Sequence, residues 1–246
     1  MSLEKLEARL TEAVAQFWQT RGKQLAKVGG DDQQEYAGAR GAVVGGGHLD
    51  GFIKLVRALL VEGGLTDASI YPNAKASVLP GFFRPTKEWD LIVVSEGQLI
   101  AAVEFKSQVG SFGNNFNNRV EEALGNATDI HTAYREGAFA PSPAPWLGYL
   151  MLLEHCPKST TPVGVKEPHF RVAEEWRGTS YSKRYELFCQ KLVRERLYNA
   201  ACFLTSSKEE GLKGAYQEPC AEIDFRAFAA SLIGHSAGIV RMHGKS

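Results

Sequence analysis

The sequence predicts an α/β protein in which helices flank a central mixed β-sheet. Three observations support this fold class. Apolar residues recur at helical spacing near the N-terminus, two continuous apolar segments follow each other in mid-chain, and helix-like and strand-like segments then alternate. With 246 residues and 44% hydrophobic content, the chain can bury one sizeable core. Because no linker-like stretch divides it, we expect a single domain over residues 1–246.

Two amphipathic helices are predicted in the first quarter of the chain. The first runs to about Ala26, and its apolar stripe consists of Leu3, Leu6, Leu10, Val14 and Phe17. A Gly-rich, polar stretch at 29–47 follows. The second helix ends before Gly63, and its apolar residues are Phe52, Leu55, Val56, Leu59 and Leu60.

The centre of the predicted sheet lies in the middle of the chain. Prolines and glycines interrupt residues 71–94, a pattern typical of short strands and turns. Residues 91–94 and 99–105 are almost entirely apolar, and Glu96 and Gly97 between them supply turn chemistry. We therefore predict a hairpin of two buried strands.

The later segments alternate between helix and strand patterns. Helical spacing begins at Arg119 and continues to about Arg135. The other predicted elements are a strand at 146–153, a helix at 181–197, a strand at 200–204 and a helix at 225–233. This order indicates a mixed sheet with helices packed on it.

Bulk charge narrows the function classes only slightly. Twenty-eight basic and 28 acidic side chains give a net charge of zero, so the charge total does not indicate nucleic-acid binding. Residues 158–196 carry nine Lys or Arg and five Glu, a local balance of +4. That excess is consistent with a basic binding face and equally with a solvated helix surface.

The cysteines and the N-terminus exclude several other classes. Four cysteines without a CxxC pair indicate reduced thiols, not a disulfide framework or structural zinc. The first ten residues mix charges with leucines and contain no apolar run of membrane-spanning length. We expect a cytoplasmic protein that does not contact a membrane.

Three charged residues mark the ends of the two central strands. Asp90 stands at the start of the first strand, and Glu104 and Lys106 stand at the end of the second. Because side chains alternate between the faces of a strand, Glu104 and Lys106 point the same way while Phe105 points to the opposite layer. Two charges on one face of a buried strand require a partner, water or a metal.

Two interpretations of these charges are open. In the simplest, Lys106 pairs with Glu104 or Asp90 and the cluster only stabilises the sheet edge. In the other, two carboxylates converge from neighbouring strands around a cation. Hard oxygen ligands without a histidine or cysteine cluster suit Mg²⁺, and a nearby lysine can orient an attacking water or, if its pKa is lowered, accept a proton. The reaction class is then phosphodiester hydrolysis.

The metal interpretation requires a particular strand register. A two-residue turn at Glu96 and Gly97 pairs residues whose numbers sum to 193, which places Val103 opposite Asp90 and puts Asp90 and Glu104 on opposite faces. The two carboxylates can meet only if the loop has an odd number of residues or a bulge shifts the register, so that the sum becomes 194. We therefore predict such a shift.

Asp90, Glu104 and Lys106 resemble the catalytic pattern of the PD-(D/E)XK nucleases, although Trp89 replaces the usual proline. A longer stretch is similar to the XhoI family of type II restriction endonucleases. It comprises Phe83-Arg84-Pro85-Thr86-Lys87, Trp89-Asp90, Ala101-Ala102-Val103-Glu104, Lys106-Ser107, Phe112-Gly113-Asn114-Asn115-Phe116-Asn117-Asn118-Arg119 and Glu121-Glu122-Ala123.

The resemblance implies a restriction-endonuclease-like core over about 70–155. It also implies cleavage of double-stranded DNA at the palindrome CTCGAG after its first C, with 5′-phosphates and four-base 5′ overhangs. Asp90, Glu104 and the backbone carbonyl of Phe105 would hold Mg²⁺. The enzyme would act as a homodimer, and a methyltransferase would protect the same site in the host DNA.

The Asn-rich segment supplies the candidate DNA-binding residues, because Asn reads adenine and Arg reads guanine in the major groove. These candidates are Asn114, Asn115, Asn117, Asn118 and Arg119. If a helix begins early, three of them share one face with a nearby acid; these residues are Asn115, Asn118, Arg119 and Glu122. Bonds from Asn to the local backbone or to phosphate are the alternatives. Glu12 or Glu62 could supply a further acidic residue.

Two other functions fit the same residues. A structure-specific repair or recombination nuclease would share the catalytic pattern but would not cut a plain duplex at one sequence. A catalytically silent DNA-binding or protein-interaction module would use Asp90, Glu104 and Lys106 only as an ion-pair cluster. That module should bind no Mg²⁺.

Overall fold

The computed structural model describes residues 3–28, 47–72 and 75–243. Its main sheet has five strands in the order β1, β4, β5, β6, β7, and β2 and β3 form a separate hairpin. The strands are β1 (Ile70–Tyr71), β2 (Val78–Pro80), β3 (Thr86–Glu88), β4 (Leu91–Ser95), β5 (Gln98–Gln108), β6 (Trp146–Glu154) and β7 (Ala200–Ser206). β1, β4 and β5 pair antiparallel, whereas β5, β6 and β7 pair parallel. The predicted mixed sheet is confirmed.

Helices cover both faces of the sheet. They are α1 (Leu3–Val28), α2 (Asp50–Glu62), α3 (Phe112–Arg135), α4 (Pro157–Thr160), α5 (Tyr181–Arg194), α6 (Lys208–Gly211) and α7 (Phe225–His243). Apolar residues of α1, α2 and α7 pack on one side, here called face A. Those of α3 and α5 pack on the other, face B. Helices packed on both faces of a mixed sheet form the α/β fold class that the sequence predicts.

The β4–β5 hairpin contains the register shift. Ser95 pairs with Gln98 and Val94 with Leu99, but Val93 then pairs with Ala101, so Ile100 is the extra residue of a bulge. The packing shows the same break, because Ile100 and its neighbour Ala101 both contribute to the core of face A. Normal alternation would place them on opposite faces. The predicted register shift is confirmed, and a bulge produces it.

The small hairpin of β2 and β3 contacts both the main sheet and α3. β2 and β3 pair antiparallel, with Leu79 opposite Lys87. At the hairpin's open end, the Ser77 hydroxyl donates to the Trp89 carbonyl oxygen at 2.6 Å, and the Trp89 N–H donates to the Ser77 carbonyl oxygen at 2.9 Å. Since Trp89 is buried in the core of face B, these bonds fix where Asp90 enters the sheet.

Two helix boundaries differ from the predictions. α3 begins at Phe112, seven residues before the predicted Arg119. The segment has weak helix propensity, but the rings of Phe112 and Phe116 pack on those of Tyr181 and Tyr185 at 6.1 and 5.1 Å. This tertiary contact outweighs local preference.

The last helix is longer than predicted, since it continues past 233 to His243. Ile239 is buried against face A, and the Ser236 hydroxyl donates a hydrogen bond to the Leu232 carbonyl oxygen within the helix.

Most of the Gly-rich stretch, 29–46, lies outside the described residues. None of the described helices is long and apolar enough to cross a membrane.

Candidate active site

The shifted register brings the two predicted carboxylates together on face B. Leu91 pairs with Val103, so the next pair in the same register is Asp90 and Glu104. Residues directly opposite each other in an antiparallel pair share a face. Phe105 points into the core of face A, as predicted. The arrangement that the metal interpretation required is therefore present.

Asp90 occupies an environment that disfavours its charge. Its Oδ2 accepts one hydrogen bond, from the Phe105 N–H at 2.7 Å. Burial, and then the neighbouring Glu104 carboxylate, raise the pKa of Asp90 to about 6, although Lys106, the Phe105 N–H and Lys87 oppose the shift. A carboxylate with a raised pKa beside a second carboxylate is typical of a site that receives a cation.

Glu104 is buried at 2% exposure and is held between two lysines. Lys87 Nζ lies 3.1 Å from Glu104 Oε2, and Lys106 Nζ contacts Glu104 Oε1. The ion pair between Glu104 and Lys106 that the structural interpretation predicted is thus present. This ion pair compensates the negative charge of Glu104 when no metal is bound.

Lys106 is charged in this arrangement. Burial lowers the pKa of Lys106, but Glu104 and Asp90 outweigh burial and hold it above its usual value. The condition under which Lys106 would accept a proton, a lowered pKa, is not met. Its ammonium group instead supplies positive charge beside the two carboxylates.

The residues present fit Mg²⁺. Asp90 and Glu104 offer hard oxygen donors on one face, and Mg²⁺ binds through one or two carboxylates while keeping several waters. Among residues 3–28, 47–72 and 75–243, no three His, Cys, Asp or Glu side chains gather in a group suited to a metal. This donor set suits a cation completed by water and phosphate, not one enclosed by protein ligands.

A third acidic residue reaches the site from α3. Glu122 Oε2 lies 3.8 Å from Lys106 Nζ and 2.7 Å from Arg119 Nη1. Arg119 is half-buried, and although burial lowers its pKa, Glu122 outweighs burial and keeps the pKa raised. Arg119 therefore has its partner on the same helix, and the contact between Glu122 and Lys106 connects α3 with β5.

The four asparagines predicted to bind DNA, all in α3, fall into two groups. Asn115 donates from Nδ2 to the Ser111 carbonyl oxygen at 3.0 Å, which is the local backbone role considered as an alternative. Asn114, Asn117 and Asn118 are exposed. Because α3 begins early, Asn115, Asn118, Arg119 and Glu122 lie on one helix face at intervals of three and four residues.

Two residues of this cluster received no catalytic assignment from the sequence. Lys87 lies in β3, seventeen residues before its partner Glu104. Glu122 lies in α3, on the turn that follows Arg119. Sequence spacing does not link Lys87 or Glu122 with Glu104 and Lys106. Contacts between separate elements bring these residues to the site.

The two acids considered as additional site residues lie elsewhere. Glu12 is exposed on α1, and Glu62, in α2, pairs with Arg9 at 2.7 Å. Both helices pack on face A, whereas Asp90 and Glu104 meet on face B. The sheet therefore separates both glutamates from the site.

Four of the nine basic residues at 158–196 form ion pairs. The pairs are Arg177 with Glu167 and Glu174, Lys183 with Glu186, Lys191 with Glu175, and Arg194 with Glu222. These pairs leave most of the local positive excess in place, so a solvated surface and a basic binding face both stay predictions. All four cysteines are free thiols, and Cys189 and Cys202 are buried.

Comparison with known proteins identifies the family. The model of the family described as Restriction endonuclease XhoI matches residues 23–218. The chain belongs to this family. It is therefore a type II restriction endonuclease, a site-specific deoxyribonuclease that acts on double-stranded DNA.

Three curated relatives are also type II restriction enzymes. The chain is 54% identical to the type II restriction enzyme BstVI of Geobacillus stearothermophilus, over 81% of this chain and 92% of the relative. It is 44% identical to XhoI of Xanthomonas vasicola, over 73% and 72%. It is 46% identical to AbrI of Azospirillum brasilense, over 72% and 79%. No solved structure matches the chain at a significant level.

Proposed function

We propose that this XhoI-family enzyme hydrolyses double-stranded DNA at CTCGAG after the first C, with Mg²⁺ as cofactor, and leaves 5′-phosphates and four-base 5′ overhangs. The observation that carries the chemistry is the bulge at Ile100, which brings Asp90 and Glu104 to the same face beside Lys106. The sequence specificity rests on the family match and on the similarity to XhoI.

Asp90 and Glu104 would hold Mg²⁺, together with the Phe105 backbone carbonyl proposed from the sequence. When bound, the ion neutralises charge that grows on the phosphate and makes an attacking water more acidic. The Phe105 N–H orients Asp90, so that its other oxygen faces the site. Lys106 exchanges its contact with Glu104 for one with water or the scissile phosphate.

Lys87 and Glu122 position these groups. Lys87 keeps Glu104 from rotating, because it contacts the oxygen that Lys106 does not. Glu122 Oε2 lies 3.8 Å from Lys106 Nζ, so the ammonium would keep a carboxylate within reach if its contact with Glu104 were lost. Exposed Asn114, Asn117 and Asn118 are the base-reading candidates, and Arg119 joins them if DNA displaces Glu122.

The remaining parts of the proposal concern assembly. A palindromic site is matched by a two-fold symmetric protein, so the enzyme acts as a homodimer in which each subunit cuts one strand. A methyltransferase of the same specificity would protect host DNA. Such a pair acts in the cytoplasm, where the host DNA lies.

The test is cleavage of a plasmid that carries one CTCGAG site, with Mg²⁺ or with EDTA, followed by sequencing of the ends. Wild-type protein should cut once, between C and T, only with Mg²⁺. Glu104→Gln and Lys106→Met should abolish cutting. Glu12→Gln, a glutamate change of the same kind on face A, should not.

The other outcomes discriminate between the alternatives. Cutting at a different defined sequence would keep the chemistry and reject the CTCGAG specificity. Cutting only at branched or flapped junctions would favour a structure-specific nuclease. Unchanged cutting by Glu104→Gln would reject the site assignment itself.

A further inference from the structure

Two phenylalanines project into solvent at the turn of the β2–β3 hairpin. Phe82 is 50% exposed and Phe83 is 68% exposed. Their rings contact each other edge to face, with centroids 4.9 Å apart and an interplanar angle of 84°. Two adjacent large apolar side chains left in water are unfavourable in the isolated protein and therefore indicate a contact surface.

The turn that carries them is held rigidly. Asp129 Oδ1 accepts hydrogen bonds from the N–H groups of both Phe82 and Phe83, each at 2.8 Å. Arg84 donates to Asp129 Oδ2 at 2.7 Å and to Asn126 Oδ1 at 2.8 Å. The two rings are thus presented by a buried carboxylate on α3.

Gly81 permits this close approach. A Cβ at position 81 would lie 2.6 Å from the Arg84 carbonyl oxygen and 2.7 Å from Asp129 Oδ2. A larger residue would therefore push the turn away from α3. A loop fixed in this way loses little entropy when its exposed side chains bind a partner.

The hairpin also reaches the active site. Lys87, in β3, contacts Glu104, and Phe83 lies only four positions before Lys87 along the chain. Four residues of extended chain span at most about 14 Å. DNA whose phosphate lies at Glu104 therefore passes within a few base pairs of the two rings.

The binding partner that suits these two rings is a base step of DNA. A phenyl ring has no hydrogen-bonding group for phosphate, but it stacks on bases or inserts between them. A second copy of the chain fits less well, because the two rings expose only about 240 Å² together, against about 800 Å² per partner in a stable interface.

We propose that Phe82 and Phe83 form an aromatic wedge that stacks on, and partly separates, a base step of the bound duplex beside the cleavage position. This inference rests on the proposed DNA-cutting function. It adds a determinant of binding and DNA distortion that the catalytic residues do not supply.

The test uses a CTCGAG duplex that carries 2-aminopurine at successive positions, with Ca²⁺ in place of Mg²⁺. Wild-type protein should raise the fluorescence at one step in each half-site, where the base leaves the stack. The double variant Phe82→Ala/Phe83→Ala should lose this rise and bind about 10- to 100-fold more weakly. A mismatch at the same step should restore much of its affinity, because that step is already unstacked.

Met242→Ala is the matched control. Met242 is 62% exposed on α7, which packs on face A, so its removal should change neither fluorescence nor affinity. Thermal melting of each variant verifies that it folds. Phe82→Trp/Phe83→Trp should keep the affinity of the wild type, since tryptophan also stacks.

Three results would overturn the wedge. One is unchanged fluorescence and affinity in a folded double alanine variant. Another is a variant that sediments as a monomer while wild type is a dimer, which would make the rings an interface between copies. The third is no fluorescence rise in wild type that cuts CTCGAG normally. Wild type that neither binds nor cuts any duplex would instead reject the proposed function, and the wedge with it.

Discussion

Two aspartates on the same side of the sheet have opposite environments. Asp129 accepts two backbone N–H groups and pairs with Arg84. Burial raises the pKa of Asp129, but these donors outweigh burial and hold the pKa below its usual value. Asp90 accepts one N–H and lies beside Glu104, and its pKa rises to about 6.

The difference separates a carboxylate whose charge the protein stabilises from one whose charge it opposes. The charge on Asp129 is fully used by groups that the protein itself supplies, so it stabilises the fold. The charge on Asp90 is opposed by its surroundings, as expected for a carboxylate that would gain partners from a bound cation. Four substitutions can break or sharpen this contrast.

The largest expected effect is on cleavage. Asp90→Asn should lower the cleavage rate at saturating DNA by about 10³-fold, because an amide is a much poorer ligand for Mg²⁺. Asp129→Asn should keep the rate within about tenfold, since it holds a turn and not the metal. Single-turnover kinetics of both variants measure this, and equal losses would reject the assignment of roles.

The next effect is on stability, and the two variants should differ in sign. Asp129→Asn should lower the free energy of unfolding by about 2 kcal/mol, because hydrogen bonds to a charged group are lost. Asp90→Asn should raise it by about 1 kcal/mol, since it removes a carboxylate whose pKa is shifted upward. Urea denaturation in EDTA provides both values. A loss of stability in Asp90→Asn would contradict the repulsion inferred at the site.

Lys87 offers a smaller effect on catalysis. Lys87→Met should slow cleavage by about tenfold, because Glu104 loses one of its two cationic contacts while Lys106 remains. Lys75→Met is the matched control, since Lys75 is exposed in the same part of the chain and should leave the rate unchanged. Equal rates for wild type and Lys87→Met would remove Lys87 from the site.

The smallest effect is on the pH dependence of stability without metal. Asp90 has a raised pKa, so its destabilising contribution is present above about pH 6 and disappears as the pH falls toward 4. The stability difference between Asp90→Asn and wild type should shrink over that range. The stabilising contribution of Asp129, whose pKa is lowered, should persist there and be lost only below about pH 4.

Melting of both variants from pH 4 to 8 measures these differences. A gap between Asp90→Asn and wild type that stays constant with pH would show that Asp90 titrates normally. A gap for Asp129→Asn that closes already near pH 6 would show that its carboxylate is not held by Arg84 and the two N–H groups.

Local patterns predicted the catalytic hairpin well. Two apolar segments and a turn of Glu96 and Gly97 are enough to predict β4 and β5, because burial and turn chemistry act within a few residues. The register shift was predicted from a chemical requirement, since two carboxylates can share a cation only on one face. Its position at Ile100 became visible only in the strand pairing.

Residues 1–246 as one domain, and the roles of Asp90, Glu104, Lys106 and the asparagines, stay predictions until they are measured. The early start of α3 was missed, because Phe112 and Phe116 are stabilised by rings of α5 that lie more than sixty residues later in the chain. Local propensity has no access to such contacts.

The sequence by itself determined the α/β class, the central strands, the acidic and basic residues at their ends, and the resemblance to XhoI-type enzymes. Tertiary structure alone decided that Lys87 and Glu122 join Glu104 and Lys106, and that Asp129 presents Phe82 and Phe83 to solvent. The physical reason is distance along the chain. Alternation and turn chemistry act between neighbours, whereas charge pairing and burial depend on which elements pack together.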